Sequence, residues 1–170
     1  MPASSSFHRV VAPFGRLFDF AGRTRRSDYW PYMVLLFAIY VAGTILTMFG
    51  MFVGLGLSIG PAFAVTGLVG LLAFAATVRR LHDVGWSGWW AGMYLVLLLG
   101  FVAHSFYWRY VELPQLEPGE RSSLYRFFPL LMTVNLAMWG LGVFILVLAV
   151  LDGTPGPNRY GADPKGRTRP

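Results

Sequence analysis

The stretch YWPYMVLLFAIYVAGTILTMFGMFVGLGLSIGPAFAVTGLVGLLAFAATV, Tyr29–Val78, contains no Asp, Glu, Lys or Arg. It is too long for one bilayer crossing and suits two of about 20 residues each. The break belongs at GLGLSIGP, residues 54–61, where glycines, a serine and Pro61 punctuate the run. Two further apolar stretches follow, each bounded by charges, so the reading is four transmembrane helices at 32–52, 62–78, 89–108 and 127–151. Backbone groups in hydrocarbon must bond within their own segment, and nothing here alternates like barrel strands. An all-α membrane bundle is therefore predicted. The expected organisation is an N-terminal tail at 1–28, a membrane domain at 29–152 and a Gly/Pro-rich tail at 153–170.

Composition agrees: 55% of the residues are hydrophobic and 13% charged, half the charge of an ordinary soluble domain. At 170 residues one membrane domain with short tails is expected, with no second globular domain. The lack of cysteine excludes disulfides, thiolate metal sites and cysteine nucleophiles. A net charge of +6 could suggest nucleic acid. In so apolar a chain it points instead to basic residues held at an anionic leaflet, with membrane lipids as the expected partners.

Orientation follows from where those cations lie. Eleven of the 14 Lys and Arg fall before the first span, between the second and third, or after the fourth. The positive-inside rule then places both termini in the cytoplasm of a multi-pass inner-membrane protein. No cleavage site precedes the first apolar run, which is expected to act as a retained anchor.

The flanking segments add detail. Phe7, Val10, Val11, Phe14, Leu17, Phe18 and Ala21 share one helical face, interrupted by Pro13 and Gly15. A short amphipathic helix starting near Pro13 is expected, lying in the interface or packed beneath the bundle. Asp28 is expected to cap the first transmembrane helix, with Pro31 in its first turn. Trp30, Trp86, Trp89 and Trp90 are candidate interfacial anchors. Asn135 is the one strongly polar side chain in the fourth span, and an interhelical hydrogen bond is expected of it. The pairs Gly50/Gly54, Gly56/Gly60 and Gly88/Gly92 point to close helix packing or loop flexibility. The last six residues read as a disordered basic tail.

Three motifs lie outside the spans: FDFAGRTRRSDYW before the first, RRLHDVGWSGWW between the second and third, and DGTPGPNRYGADP after the fourth. Together they resemble a family of small bacterial inner-membrane proteins, domain of unknown function 805 or the YhaH-like proteins. One departure is Asp28, where the family more often has Glu. The resemblance implies an inner-membrane location and carries over no activity, substrate or catalytic residue.

The motifs tempt a catalytic reading through LHD at 81–83. Metal hydrolysis needs more ligands than one adjacent His and Asp, and the other histidines are His8 in the tail and His104 near the opposite face. GWSGW is no nucleophile elbow, because Gly88 follows Ser87 directly and Trp89 stands where G-x-S-x-G needs its second glycine. No enzyme, metal or cofactor is expected. No Lys, Arg, Asp or Glu lies within the spans, which argues against proton coupling. The topology instead gathers the three motifs on the cytoplasmic face. One polar cluster is expected there: Arg23, Arg25, Arg26, Asp28, Arg79, Arg80, His82, Asp83, Asn158 and Arg159. Arg25 and Arg26 should lie near Asp83, and Asp28 near Arg79 or Arg80, braced by Asn158 and Arg159. A structural cluster leads; an anionic lipid headgroup or phosphorylated ligand on surplus arginines is the alternative. An oligomeric channel or transporter, a homo-oligomer and a membrane-protein partner remain open.

Overall fold

The computed structural model describes residues 12–53, 60–112, 115 and 128–168. Four helices carry the fold: α1 Arg26–Phe52, α2 Gly60–Asp83, α3 Trp89–Tyr107 and α4 Phe128–Val150. Each contains a stretch long and apolar enough to cross a membrane, and no strand occurs among the described residues. Residues 54–59, most of the loop between α3 and α4, and the first eleven residues, with Phe7, His8, Arg9, Val10 and Val11, lie outside the described part.

α2 is the central element, packed against α1, α3 and α4. Small residues permit the approach. A Cβ on Gly43 would stand 3.0 Å from Val65 Cγ1, and one on Gly70 would run into Leu98 Cδ2. Of the noted glycine pairs, Gly88 is another close approach, since its Cβ would meet Val78 Cγ1 at 2.6 Å. Tyr32, wholly buried, donates from its hydroxyl to the Leu72 carbonyl at 2.9 Å and ties α1 to α2. Most of the remaining helix surface is apolar and outward, including Val34, Phe37, Leu46, Val96, Leu136 and Trp139. Acyl chains solvate such a surface as well as protein does, so this inversion suits a bilayer.

The first helix begins two residues earlier than its expected cap. The amides of Asp28 and Tyr29 both donate to the Arg25 carbonyl, so Arg25 holds the N-cap position and Asp28 sits inside the first turn. Its charge still faces the positive end of the helix. Pro31 consequently lies inside α1. Before α1, a short 3-10 helix spans Ala12–Arg16, and Phe14 meets the Tyr32 ring edge-on at 5.1 Å. This part packs beneath the bundle, while Phe18 stays 90% exposed.

Asn135 corrects its expectation. Its amide donates to the Leu131 carbonyl at 2.9 Å, one turn back on the same helix. Back-bonding within the helix satisfies the donor without a partner helix.

Candidate functional site

The chain order brings three irregular segments to one end of the bundle: Arg16–Arg25, the α2–α3 turn and the stretch after α4. The turn is tight because Gly85 adopts φ +83, a left-handed conformation open to glycine at little cost. It leaves Arg79, Arg80 and Asp83 on the last turn of α2, buried to 3%, 0% and 2% exposure.

Asp83 is the hub. Its carboxylate accepts from Arg23 Nε at 3.0 Å through Oδ1 and from Arg80 Nη1 through Oδ2. Its main-chain carbonyl accepts from the Thr154 amide at 2.9 Å, which pins the segment after α4 to the end of α2. The fit allows no Cβ at Gly153, which would fall onto the Asp83 carboxylate.

The two arginines reach outward from this hub. Arg23 donates through Nη1 to the Gly156 carbonyl at 2.8 Å and through Nη2 to the Thr154 carbonyl at 2.6 Å. Arg80 donates through Nε to the Ala149 carbonyl at 3.1 Å, and through its terminal nitrogens to the Thr24 and Leu151 carbonyls. Ala149 lies in the last turn of α4 and Leu151 directly follows it, where carbonyls lack helical partners. A guanidinium there satisfies them and complements the negative end of the helix. Arg79 binds main chain as well, donating to the carbonyls of Arg16, at 2.9 Å, and Asp19. Among the described residues no buried side-chain nitrogen or oxygen lacks a hydrogen-bond partner.

The expected partners therefore change. Asp83 pairs with Arg23 and Arg80, whereas Arg25 pairs with Asp28 at 3.6 Å and Arg26 with Asp152 at 3.6 Å. Arg79 and Arg80 anchor carbonyls and Asp83 and do not serve Asp28 as expected. Asn158 does brace the turn, its amide donating to the His82 carbonyl at 3.0 Å and to Thr154 Oγ1 at 3.1 Å. Arg159 lies over the Tyr160 ring at 4.7 Å, and Tyr160 stacks on His82 at 3.8 Å and 5°. The tryptophans divide: Trp86 and Trp90 pack on Phe144, Trp30 on Tyr29, and Trp89 is 84% exposed.

The tail also departs from its expectation, since Lys165 and Arg167 dock on Asp152, Gly153 and Asp163. Arg167 Nε donates to Asp163 at 2.8 Å and its Nη2 to the Gly153 carbonyl at 2.7 Å, while Lys165 Nζ reaches Asp152 at 2.5 Å. Sequence reasoning missed Asp152, Asp163, Lys165 and Arg167; the Asp163–Arg167 spacing was the available signal. The Arg167 guanidinium holds the Asp163 carboxyl well below its usual 3.8, and the Lys165 ammonium lowers Asp152. Carboxylates held low in the folded state favour docking of the tail above about pH 4 and lose that contribution as pH falls through their folded values. A spin label on Thr168→Cys, unique in a chain without cysteine, should keep one mobility from pH 8 to 5 and loosen only below about pH 4. Loosening already at pH 6 would contradict this.

No group of three or more metal-ligating His, Asp or Glu occurs among the described residues. The Asp83 carboxylate lies between two guanidiniums and His82 turns towards Tyr160, so the adjacent pair does not converge on one point.

The family model for "Protein of unknown function (DUF805)" matches residues 17–162. The chain is 27% identical over 151 residues to the Escherichia coli K12 inner membrane protein YhaH, covering 86% of this chain and 87% of that protein. It is 28% identical to inner membrane protein YhaI and 34% identical to uncharacterized protein YiiR of the same organism, at 86% of both chains in each case. No solved structure matches.

Proposed function

We propose that this chain, which belongs to the DUF805 family of inner-membrane proteins of unknown function, is a non-enzymatic membrane protein. In this reading its arginine-rich end is a structural clasp that faces the cytoplasm together with both termini. The observation that carries it is the engagement of Arg23 and Arg80: all three nitrogens of each side chain donate to the protein. Both guanidiniums are committed to Asp83 and to carbonyls of the N-terminal segment, the end of α4 and the stretch after it, and at 1% side-chain exposure neither offers a face to an incoming phosphate. The clasp fixes where the N-terminal segment and the tail sit against α2 and α4. Specified geometry is the attested use of such buried ionic groups, even where their net stabilisation is small. The cytoplasmic assignment rests on the distribution of Lys and Arg along the sequence.

Arg23→Gln tests the clasp. The substitution should lower thermal stability in detergent by about 3 kcal/mol and leave the complement of bound lipids, read by native mass spectrometry, unchanged. A stable variant that loses a phosphorylated ligand would overturn the reading. For orientation, a membrane-impermeant thiol reagent should modify Thr168→Cys in inverted vesicles and spare it in intact cells. The reverse pattern would refute the cytoplasmic assignment.

A further inference from the structure

The clasp leaves part of the turn motif unused: the His82 ring, Ser87, Gly88 and Trp89. These residues, with Phe20, Phe74 and Val78, line a cleft of about 440 Å³ beside it. We propose that this cleft seats a phospholipid of the adjoining leaflet, with its phosphate on Arg159 and a headgroup N–H or O–H donor on His82 Nε2.

The depth is that of a bilayer interface. Phe18 is 90%, Trp89 84% and Phe20 40% exposed at the same end of the bundle as the charged clasp. Apolar rings beside charge are placed to lie among lipid headgroups and the first methylenes of the tails.

The chemistry comes from His82. Its Nδ1 lies 3.3 Å from the Gly22 carbonyl, which can only accept, so Nδ1 carries a proton. In the neutral ring Nε2 is therefore an acceptor. Gly88 keeps it reachable, because a Cβ there would stand 3.2 Å from Nε2. The ring is held flat by its stack on Tyr160. Outside the lining of the cleft, Arg159 lies over that same Tyr160 ring, an exposed side chain whose guanidinium meets no carboxylate among the described residues. Ser87 Oγ accepts from the Trp89 amide at 3.3 Å and retains its own proton to donate. An exposed cation on the Tyr160 ring, a neutral acceptor and aromatic walls match a phosphate, a headgroup donor and the start of the acyl chains. None of these groups belongs to the arginine–Asp83 clasp, so failure of one proposal leaves the other standing.

The test uses the full chain in detergent, titrated with short-chain phosphatidylethanolamine, phosphatidylglycerol and phosphatidylcholine and read by native mass spectrometry. The first two carry N–H or O–H donors and the third does not. They should bind about tenfold tighter than phosphatidylcholine, the worth of one hydrogen bond. Arg159→Gln, at an exposed position, should weaken all three by about tenfold. His82→Phe, which keeps a flat ring on Tyr160, should bring the first two down to the level of phosphatidylcholine. Equal binding of all three lipids by the unaltered protein, or unchanged binding by Arg159→Gln, overturns the proposal. So does complete displacement of lipid by millimolar inorganic phosphate, which would mark a free-anion site. If His82→Phe does not fold, the comparison of headgroups on the unaltered protein and the Arg159 variant still decide.

Discussion

Asp83→Ala should cost the detergent-solubilised protein about 3 to 5 kcal/mol of unfolding free energy, the largest effect expected of any single substitution in the clasp. The carboxylate is the shared counter-ion of Arg23 and Arg80, both of whose side chains are 1% exposed. Removing it leaves two buried guanidiniums facing each other, with Asp163 at 3.9 Å from Arg23 as the nearest remaining acid of the pair. Carbonyls can bind a guanidinium but carry no net charge to balance it. Desolvation then goes uncompensated, which is why breaking a buried pair costs far more than the pair itself contributes. Unfolding followed by tryptophan fluorescence would measure the loss. A loss below about 1 kcal/mol would show that the clasp is solvated. Asp83→Asn separates charge from shape: it keeps the contact with Gly153, and a loss nearly as large as with Ala would assign the effect to charge.

The architecture was legible because membrane spans are written in composition. Fifty charge-free positions between Tyr29 and Val78 admit few alternatives once every backbone group must bond within its segment. That the three motifs meet at one end follows from an even number of crossings. The pairing inside the cluster was not legible. Arg80 and Asp83 stand at i and i+3 on one helix, so their contact could be read. Arg23 lies in an irregular segment, where no period says which way a side chain points. Arg25 and Arg26 sit at the start of α1, whose phase turns them to Asp28 and Asp152. The tail misled for a related reason: Gly, Pro and charge look like disorder until Asp152 and Asp163 are seen to collect Lys165 and Arg167. Asn135 misled because a polar side chain in a span has a local acceptor always within reach on its own helix.

Arg80→Met should destabilise the protein by about 3 kcal/mol or more, through a different route from Asp83→Ala. Met fills much of the stem volume, and Asp83 keeps Arg23 as its partner. What is lost is the bridge to the carbonyls of Thr24, Ala149 and Leu151. Two of these end α4, so the variant should free the junction between α4 and the tail before the bundle itself opens. Limited proteolysis should cut after Val150 in Arg80→Met at temperatures where the parent is resistant, while the four helices remain intact. Asp83→Ala should loosen the N-terminal segment as well, because it also releases Arg23. In the double variant Asp83→Ala/Arg80→Met, only Arg23 is left without its counter-ion. The combined loss should therefore fall short of the sum of the single losses by about 1 to 3 kcal/mol, the range for residues sharing one network. Strict additivity would mean that Arg80 works on the α4 carbonyls alone, and that its contact with Asp83 contributes nothing to holding the clasp closed.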